Sequence, residues 1–274
     1  MRSDDHSTVG RKASGRTTLA YKLDGNSKIR SSFGAGVRFP ALYDYIYGSS
    51  TIVDKGGTLE QIKSERGLSF DLGYDTYLDN LDLGLSMTLF KTKQKNSILN
   101  NARTDWVQAN ATGVNTSEGV ELSTNWKPVN KKISLDFGYT FTDSYDAASC
   151  DPDEKASYSD GECHDIGSKL QSAKVRVPRH SFNSKINYNI SPNLRTSLKG
   201  KYIGEARDFG NENNNWTDVI LTDYLVFDLE TSYRLFSGYK VFANIGNIAD
   251  EEYEQAHMYS SMGRTFNFGI RRVY

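Results

Sequence analysis

Cysteine, proline and histidine are scarce in this chain, with two, five and four residues among 274. Two cysteines cannot staple a disulfide-built fold of this length. The histidines, at positions 6, 164, 180 and 257, are scattered with no His-Glu-x-x-His spacing, so a zinc-protease helix is excluded. "GAGVRF" lacks the third glycine of a dinucleotide loop, and neither a Walker loop nor a Gly-x-Ser-x-Gly elbow occurs. The chain is therefore read as a non-enzyme that needs no cofactor and has no resident metal. A net charge of -1 argues against a nucleic-acid partner. No apolar run reaches the roughly 18 residues of a membrane-spanning helix. "MRSDDHSTVG" lacks the apolar centre of a signal peptide, so the expectation is a cytoplasmic protein or a piece of a longer chain.

What the chain does have is aromatics, 12% of all residues with 17 Tyr, and an alternation that recurs from end to end. In "ISLDFGYTF", Ile133, Leu135, Phe137, Tyr139 and Phe141 share one parity, and Ser134, Asp136, Gly138 and Thr140 hold the other. In an extended chain, parity is face. The same two-sidedness runs through Leu68 to Tyr74, Leu81 to Leu89, Ile186 to Ile190 and Leu225 to Leu235. It returns in Phe266, Phe268, Ile270 and the terminal Tyr274, interrupted by Arg272. Few hydrophobic residues overall (37%) but one greasy face per strand suit a wall one residue thick, apolar outside and wet inside.

The connections differ in length in a regular way. Short turns fall at "LDGNS", "YLDNL", "KPVNKK", "ISPNL" and "LFSGY", rich in the Gly, Pro, Asn and Asp that tight reversals use. Long polar segments lie between them, from Val37 to Arg66, Ser144 to Val177, Asp208 to Asp223 and Ala249 to Met262. Tyr21, Trp126, Tyr188, Tyr233, Tyr239 and Tyr274 each stand near a short turn or the chain end, on the apolar parity, as a girdle at one membrane interface requires. The pattern predicts an all-β, antiparallel transmembrane barrel segment of about eleven strands, starting near Gly15.

Several stretches carry a family resemblance. "SFGAGVRFPALYDYIYG", "WVQANATGVNTSEGVELSTNW", "ANIGNIADEEYE" and the closing "MGRTFNFGIRRVY" resemble, in order, motifs of the TonB-dependent outer-membrane receptors. "RSDDHSTVGRKASGRTTLAYKL" is similar to the loop and strand before the middle of that barrel. Ser64 and Arg272 depart from the family's usual residues. The resemblance implies that residues 1–274 are the C-terminal half of a barrel of about 22 strands, with the signal peptide, plug domain and first barrel half absent. It implies a part in TonB-dependent import of a scarce metal chelate, a ferric siderophore or cobalamin. Its implied partners are outer-membrane lipid, the missing barrel half and plug, the TonB complex acting through that plug, and the chelate. Phe266, Phe268, Ile270 and Tyr274 would form the signal read by the outer-membrane assembly machinery. The rival expectation is a small, complete porin or structural barrel with passive diffusion.

Within that frame, Cys150 and Cys163 share the longest acidic loop, where an oxidising compartment favours a disulfide over a metal site built with His164. The acidic side chains of that loop could hold calcium weakly or simply be solvated. Tyr43, Tyr45, Tyr47, Asn213, Asn214 and Trp216 place aromatics beside amides on outer loops, a combination suited to a bulky, partly apolar chelate. The plainer reading of the same residues is an outer aromatic girdle next to a polar loop.

Overall fold

A computed structural model describes residues 1–7, 9–44, 62–101, 107–110, 114–129, 132–145, 173–212, 215–235 and 238–272. Its strands are β1 (Arg2–His6), β2 (Gly10–Lys22), β3 (Ser27–Arg38), β4 (Glu65–Leu78), β5 (Leu83–Lys95), β6 (Ile98–Asn101), β7 (Val107–Asn110), β8 (Val114–Trp126) and β9 (Ile133–Tyr145). They continue as β10 (His180–Asn189), β11 (Leu194–Ile203), β12 (Ala206–Glu212), β13 (Asn215–Leu221), β14 (Tyr224–Arg234), β15 (Tyr239–Gly246), β16 (Glu254–Ala256), β17 (Tyr259–Ser260) and β18 (Thr265–Arg272). Twelve of them form one antiparallel sheet in the order β1-β2-β3-β4-β5-β8-β9-β10-β11-β14-β15-β18. Every neighbour in that sheet is also the next long strand in sequence. Among the described residues β1 and β18 are its two edges, so the sheet is open.

The sheet has one strand more than the alternation predicts. β1, "RSDDH", carries no apolar alternation and is held by its register with β2, from Arg2 opposite Ser14 to His6 opposite Gly10. β2 itself starts at Gly10, before the expected Gly15. The stretch from Trp106 to Trp126, expected as one strand, is divided: β7 pairs with β6 in a separate hairpin, and β8 begins at Val114. The long connections after β11 and β15 likewise carry small hairpins, β12–β13 and β16–β17. The penultimate barrel strand, β15, ends at Gly246, so most of "NIADEEYE" lies in a turn beyond it, with Asn247 and Asp250 at φ 51 and 59.

Register puts the apolar parity of every long strand on one surface. Leu72 lies opposite Leu89, Leu89 opposite Val120, and Val120 opposite Phe141. At the other edge Ile245 faces Phe266, Ala243 faces Phe268 and Val241 faces Ile270. These side chains are open to the surroundings: Phe268 is 89% exposed, Phe266 68% and Leu19 69%. The buried residues of the sheet, by contrast, are largely polar, among them Ser32, Thr88, Asn187 and Ser197. A soluble sandwich would have the reverse arrangement. Lipid is the solvent that favours an apolar exterior around a polar interior.

The short turns all lie at one end. Asp24 closes the β2–β3 hairpin, its carboxylate accepting the backbone N–H groups of Asn26 (2.8 Å) and Ser27 (2.7 Å). Those bonds, the Asn26 one foremost, hold the carboxyl below its ordinary acid range. A depressed native value adds stability above the unfolded pKa, near 4, that disappears as pH falls through the native value. The expected outcome for Asp24→Asn is a weaker pH dependence of stability below pH 4, read by denaturant titration of the protein.

Aromatic residues mark that end too. Tyr21, Tyr188, Tyr233 and Tyr239 are exposed on the apolar face, and the Trp126 indole donates to the Leu81 carbonyl at 2.9 Å. Arg272, the charged interruption of the closing strand, stands 6.0 Å from the centre of the Tyr239 ring. A guanidinium at the headgroup level can rest on an aromatic face while keeping contact with water. Tyr274 lies outside the described residues.

Candidate functional site

Two constructions occupy the polar side of the sheet: a charged wall along β2 to β14 and a buried knot at the end bearing the long connections. The wall follows from the second parity of the strands. Arg30 on β3 donates to Asp75 (3.0 Å) and Thr88 (2.6 Å), and Ser86 donates to the other Asp75 oxygen at 2.5 Å. Gly73 makes this possible, because a Cβ there would lie 2.5 Å from the Arg30 Cζ. One row higher, Arg16 donates to Ser32 (2.8 Å), which donates to Asp71 (2.6 Å). Further along, Asn187 accepts from Arg195 (2.9 Å) and Ser197 (2.8 Å), while Lys199 pairs with Glu230 at 3.2 Å. Asn125 and Asp136 are hydrogen-bonded across β8 and β9.

Cations and carboxylates are thus paired between strands at several points of this wet, hydrogen-bonded wall. A recess of about 860 Å³ opens in it, lined by Arg30, Asp75, Ser86, Glu121, Ser123 and Asn183 among others. Such a surface can meet a polar body of either charge through hydrogen bonds. Among the described residues no group of three or more His, Cys, Asp and Glu side chains gathers to hold a metal ion.

The knot ties three long connections at one point. Asp208 at the start of the β12 hairpin is fully buried, and its carboxylate accepts from Arg176 Nε at 2.9 and 3.0 Å and from the His257 backbone N–H at 2.7 Å. The Arg176 backbone N–H donates to the Arg207 carbonyl (2.8 Å), and buried Arg207 donates to the Ala173 carbonyl at 3.2 Å. Tyr224 at the start of β14 and Tyr253 in the last long connection stack with ring centres 4.1 Å apart. A carboxylate stripped of water and held by charge-assisted bonds fixes the geometry of everything it touches. We expect Asp208→Asn to speed amide exchange in the Ala173–Val177 and Glu254–His257 segments ten- to a hundredfold, matching the roughly 1.5–3 kcal/mol of a hydrogen bond to a charged group. The barrel strands are expected to exchange as before.

Sequence reasoning missed the knot because its partners come from segments far apart in the chain and no local spacing announces them. Of the residues expected to bind ligand, Tyr43 is described: it is 52% exposed, just past β3, in a helical segment where Asp44 accepts the Ala41 N–H at 2.7 Å. Tyr45, Tyr47, Asn213 and Asn214 lie outside the described residues. The backbone of Trp216 belongs to β13, and its side chain is outside the described set. β4, β5, β8, β9 and β10 separate β3 from β11 in the sheet, so the order of strands does not make Tyr43 a neighbour of the β12–β13 hairpin. Cys150 and Cys163 also lie outside the described residues. Phe266, Phe268 and Ile270 stand in one exposed row on β18.

Comparison with known proteins agrees with this architecture. The ferripyoverdine receptor of the Pseudomonas aeruginosa outer membrane superposes with a TM-score of 0.72 at 14% identity, covering 96% of this chain and 33% of that one. The ferric-catecholate import receptor Fiu of Escherichia coli K12 superposes at 0.68 with 17% identity, covering 95% and 35%. The siderophore receptor PiuA of Acinetobacter baumannii superposes at 0.67 with 20% identity, covering 95% and 36%. The chain spans about a third of the length of each of these structures. No curated protein matches it. The family model described as TonB dependent receptor-like, beta-barrel, matches residues 1–248. With its open, two-faced sheet and alternating short and long connections, the chain belongs to the TonB-dependent receptor β-barrel family.

Proposed function

We propose that residues 1–274 form the C-terminal half of the barrel of an outer-membrane receptor that imports a ferric siderophore by TonB-dependent, energy-coupled transport. The observation that carries the reading is the two-faced sheet: an apolar exterior for lipid around a polar wall of paired charges. In this reading the wall is the seat of a plug domain supplied by another part of the parent protein, and the TonB complex acts on that plug. A siderophore is favoured over cobalamin because the similar structures named above are receptors for siderophores or their iron complexes. The test is uptake by cells carrying the full-length parent, using labelled ferric siderophores of catecholate and peptide type, with cobalamin as competitor. Energy-dependent uptake that ignores cobalamin supports the proposal; uptake of cobalamin alone overturns the siderophore assignment.

Ligand contacts are proposed for Tyr43, Tyr45, Tyr47, Asn213, Asn214 and Trp216, and the closing-strand residues Phe266, Phe268, Ile270 and Tyr274 are proposed as the signal read by the outer-membrane assembly machinery. Cys150 and Cys163 are proposed to be bonded in the exported parent protein, since the periplasm is oxidising and the two share one loop. Peptide mapping without reductant is expected to recover them as one linked pair, and free thiols at both positions would contradict this. Loss of the bond is expected to leave membrane insertion intact, because both cysteines lie between β9 and β10 in sequence.

A further inference from the structure

The lipid face of β5 changes character in one step. Its outward positions run Leu85, Met87 and Leu89, then Lys91, Lys93 and Lys95. Across the register, Leu72 lies opposite Leu89, Phe70 opposite Lys91, Leu68 opposite Lys93 and Arg66 opposite Lys95. All four cations are exposed. Lys91 is paired with Glu118 on β8, and the neighbouring Asp143 on β9 is paired with Arg179 at 2.8 Å. The carboxylates of this surface are therefore already matched. Among the described residues, Arg66, Lys93 and Lys95 have no acidic partner, which leaves three cations above one patch of the apolar band.

Two further features give the patch a direction. A groove of about 400 Å³ lies directly beneath it, walled by Phe70, Leu72, Leu89, Val120 and Phe141 with Lys91, Glu118 and Asp143 at its rim. Charged outward positions at the same end of other strands are paired, Glu118 on β8 with Lys91, Asp143 on β9 with Arg179 and Arg11 on β2 with Asp5, and Thr116, Tyr145 and Tyr202 are uncharged. Lys91 to Lys95 also rises about 13 Å along the strand. A snorkelling girdle needs cations at one depth only. Cations at several depths over an apolar slot match an amphiphile whose acyl chains enter the slot and whose headgroup carries phosphate at more than one height.

We propose that the outward face of β4 and β5, at the end of the long connections, is a specific binding site for a phosphorylated, multiply acylated glycolipid of the outer leaflet. Its acyl chains lie against Phe70, Leu72 and Leu89, and its phosphates bind Arg66, Lys93 and Lys95. The site rests on the membrane reading above, and that reading has its own control: the parent receptor must fold and insert into phosphatidylcholine bilayers, judged by heat-modifiable migration on gels. Failure of that control in the wild-type protein removes the membrane reading and the site with it.

With insertion established, binding of diphosphoryl lipid A is measured by native mass spectrometry for the wild-type parent, the R66Q/K93Q/K95Q variant and a K127Q control at the opposite end. The expected result is at least a tenfold loss of bound lipid A for the triple variant, none for K127Q, and equal insertion for all three. Dephosphorylated lipid A is expected to bind wild type and triple variant alike, and inorganic phosphate in millimolar excess is expected not to displace the lipid. Undiminished lipid A binding by the inserted triple variant would overturn the site. Displacement by inorganic phosphate would reduce it to a plain anion patch and overturn the lipid assignment.

Discussion

Arginine at position 85 or 137 is expected to destabilise the assembled barrel by about 2–4 kcal/mol, the cost of that side chain near the bilayer midplane. The two positions share a row, since Leu85 lies opposite Thr124 and Thr124 opposite Phe137. Leu85 is 39% exposed, and the Phe137 ring meets Phe182 edge-on at 4.5 Å, so the arginine would displace packing as well as enter hydrocarbon. The matched control is Ser123→Arg, one residue from that row but on the polar face. Ser123 is exposed and lines the recess beside Glu121 and Asp136, which can receive a new cation. Ser86 and Asp136 are also polar-face positions, but both are tied into hydrogen bonds that arginine would break, so part of their loss would be local. Urea unfolding of the parent receptor in lipid bilayers is the measurement. Equal losses at Leu85 and Ser123 would mean that the sheet has no lipid face.

That difference between faces was legible in the sequence because a strand's period is two and each face has one solvent. Leu85 and Ser86, or Phe137 and Asp136, are assigned to opposite sides by parity alone, and the register of β4, β5, β8 and β9 keeps every assignment. β1 was not legible, because Arg2 to His6 alternates nothing and is a strand only through the partner that β2 offers. The division between β7 and β8 was hidden for a related reason: Val107 and Val114 both have strand propensity, and the break between their strands depends on β6 reaching β7. The wall is an intermediate case. Its charges were visible as the polar parity, but that Arg30 meets Asp75 while lying across Gly73 needs the register of three strands. The Asp208 knot was invisible, since no local pattern relates residues 176, 208 and 257.

The second large effect concerns the chain by itself. Expressed as the 274 residues given, with no other part of a receptor, it is expected to import nothing by an energy-coupled route. β1 pairs on one side only, with β2, and β18 on one side only, with β15, among the described residues. Each long unpaired edge presents backbone N–H and C=O groups, and in hydrocarbon every unsatisfied group costs several kcal/mol. Eight residues of β18 facing lipid in this way outweigh the few kcal/mol by which a domain is ordinarily stable. The edges must therefore be hidden. Two copies joined edge to edge would satisfy both ladders, and without such pairing the exposed edges template aggregation. A joined pair would still bring its polar wall around an open lumen, with its Arg30–Asp75 and Lys199–Glu230 pairs facing water instead of a plug. The expected outcome is inclusion bodies, or an ungated channel whose conductance is indifferent to siderophore and to the proton gradient. Single-channel recording in planar bilayers and whole-cell uptake with and without a protonophore distinguish these cases. Saturable, protonophore-sensitive uptake by cells carrying only these residues would require that the chain closes a barrel unaided, with β1 and β18 paired to each other.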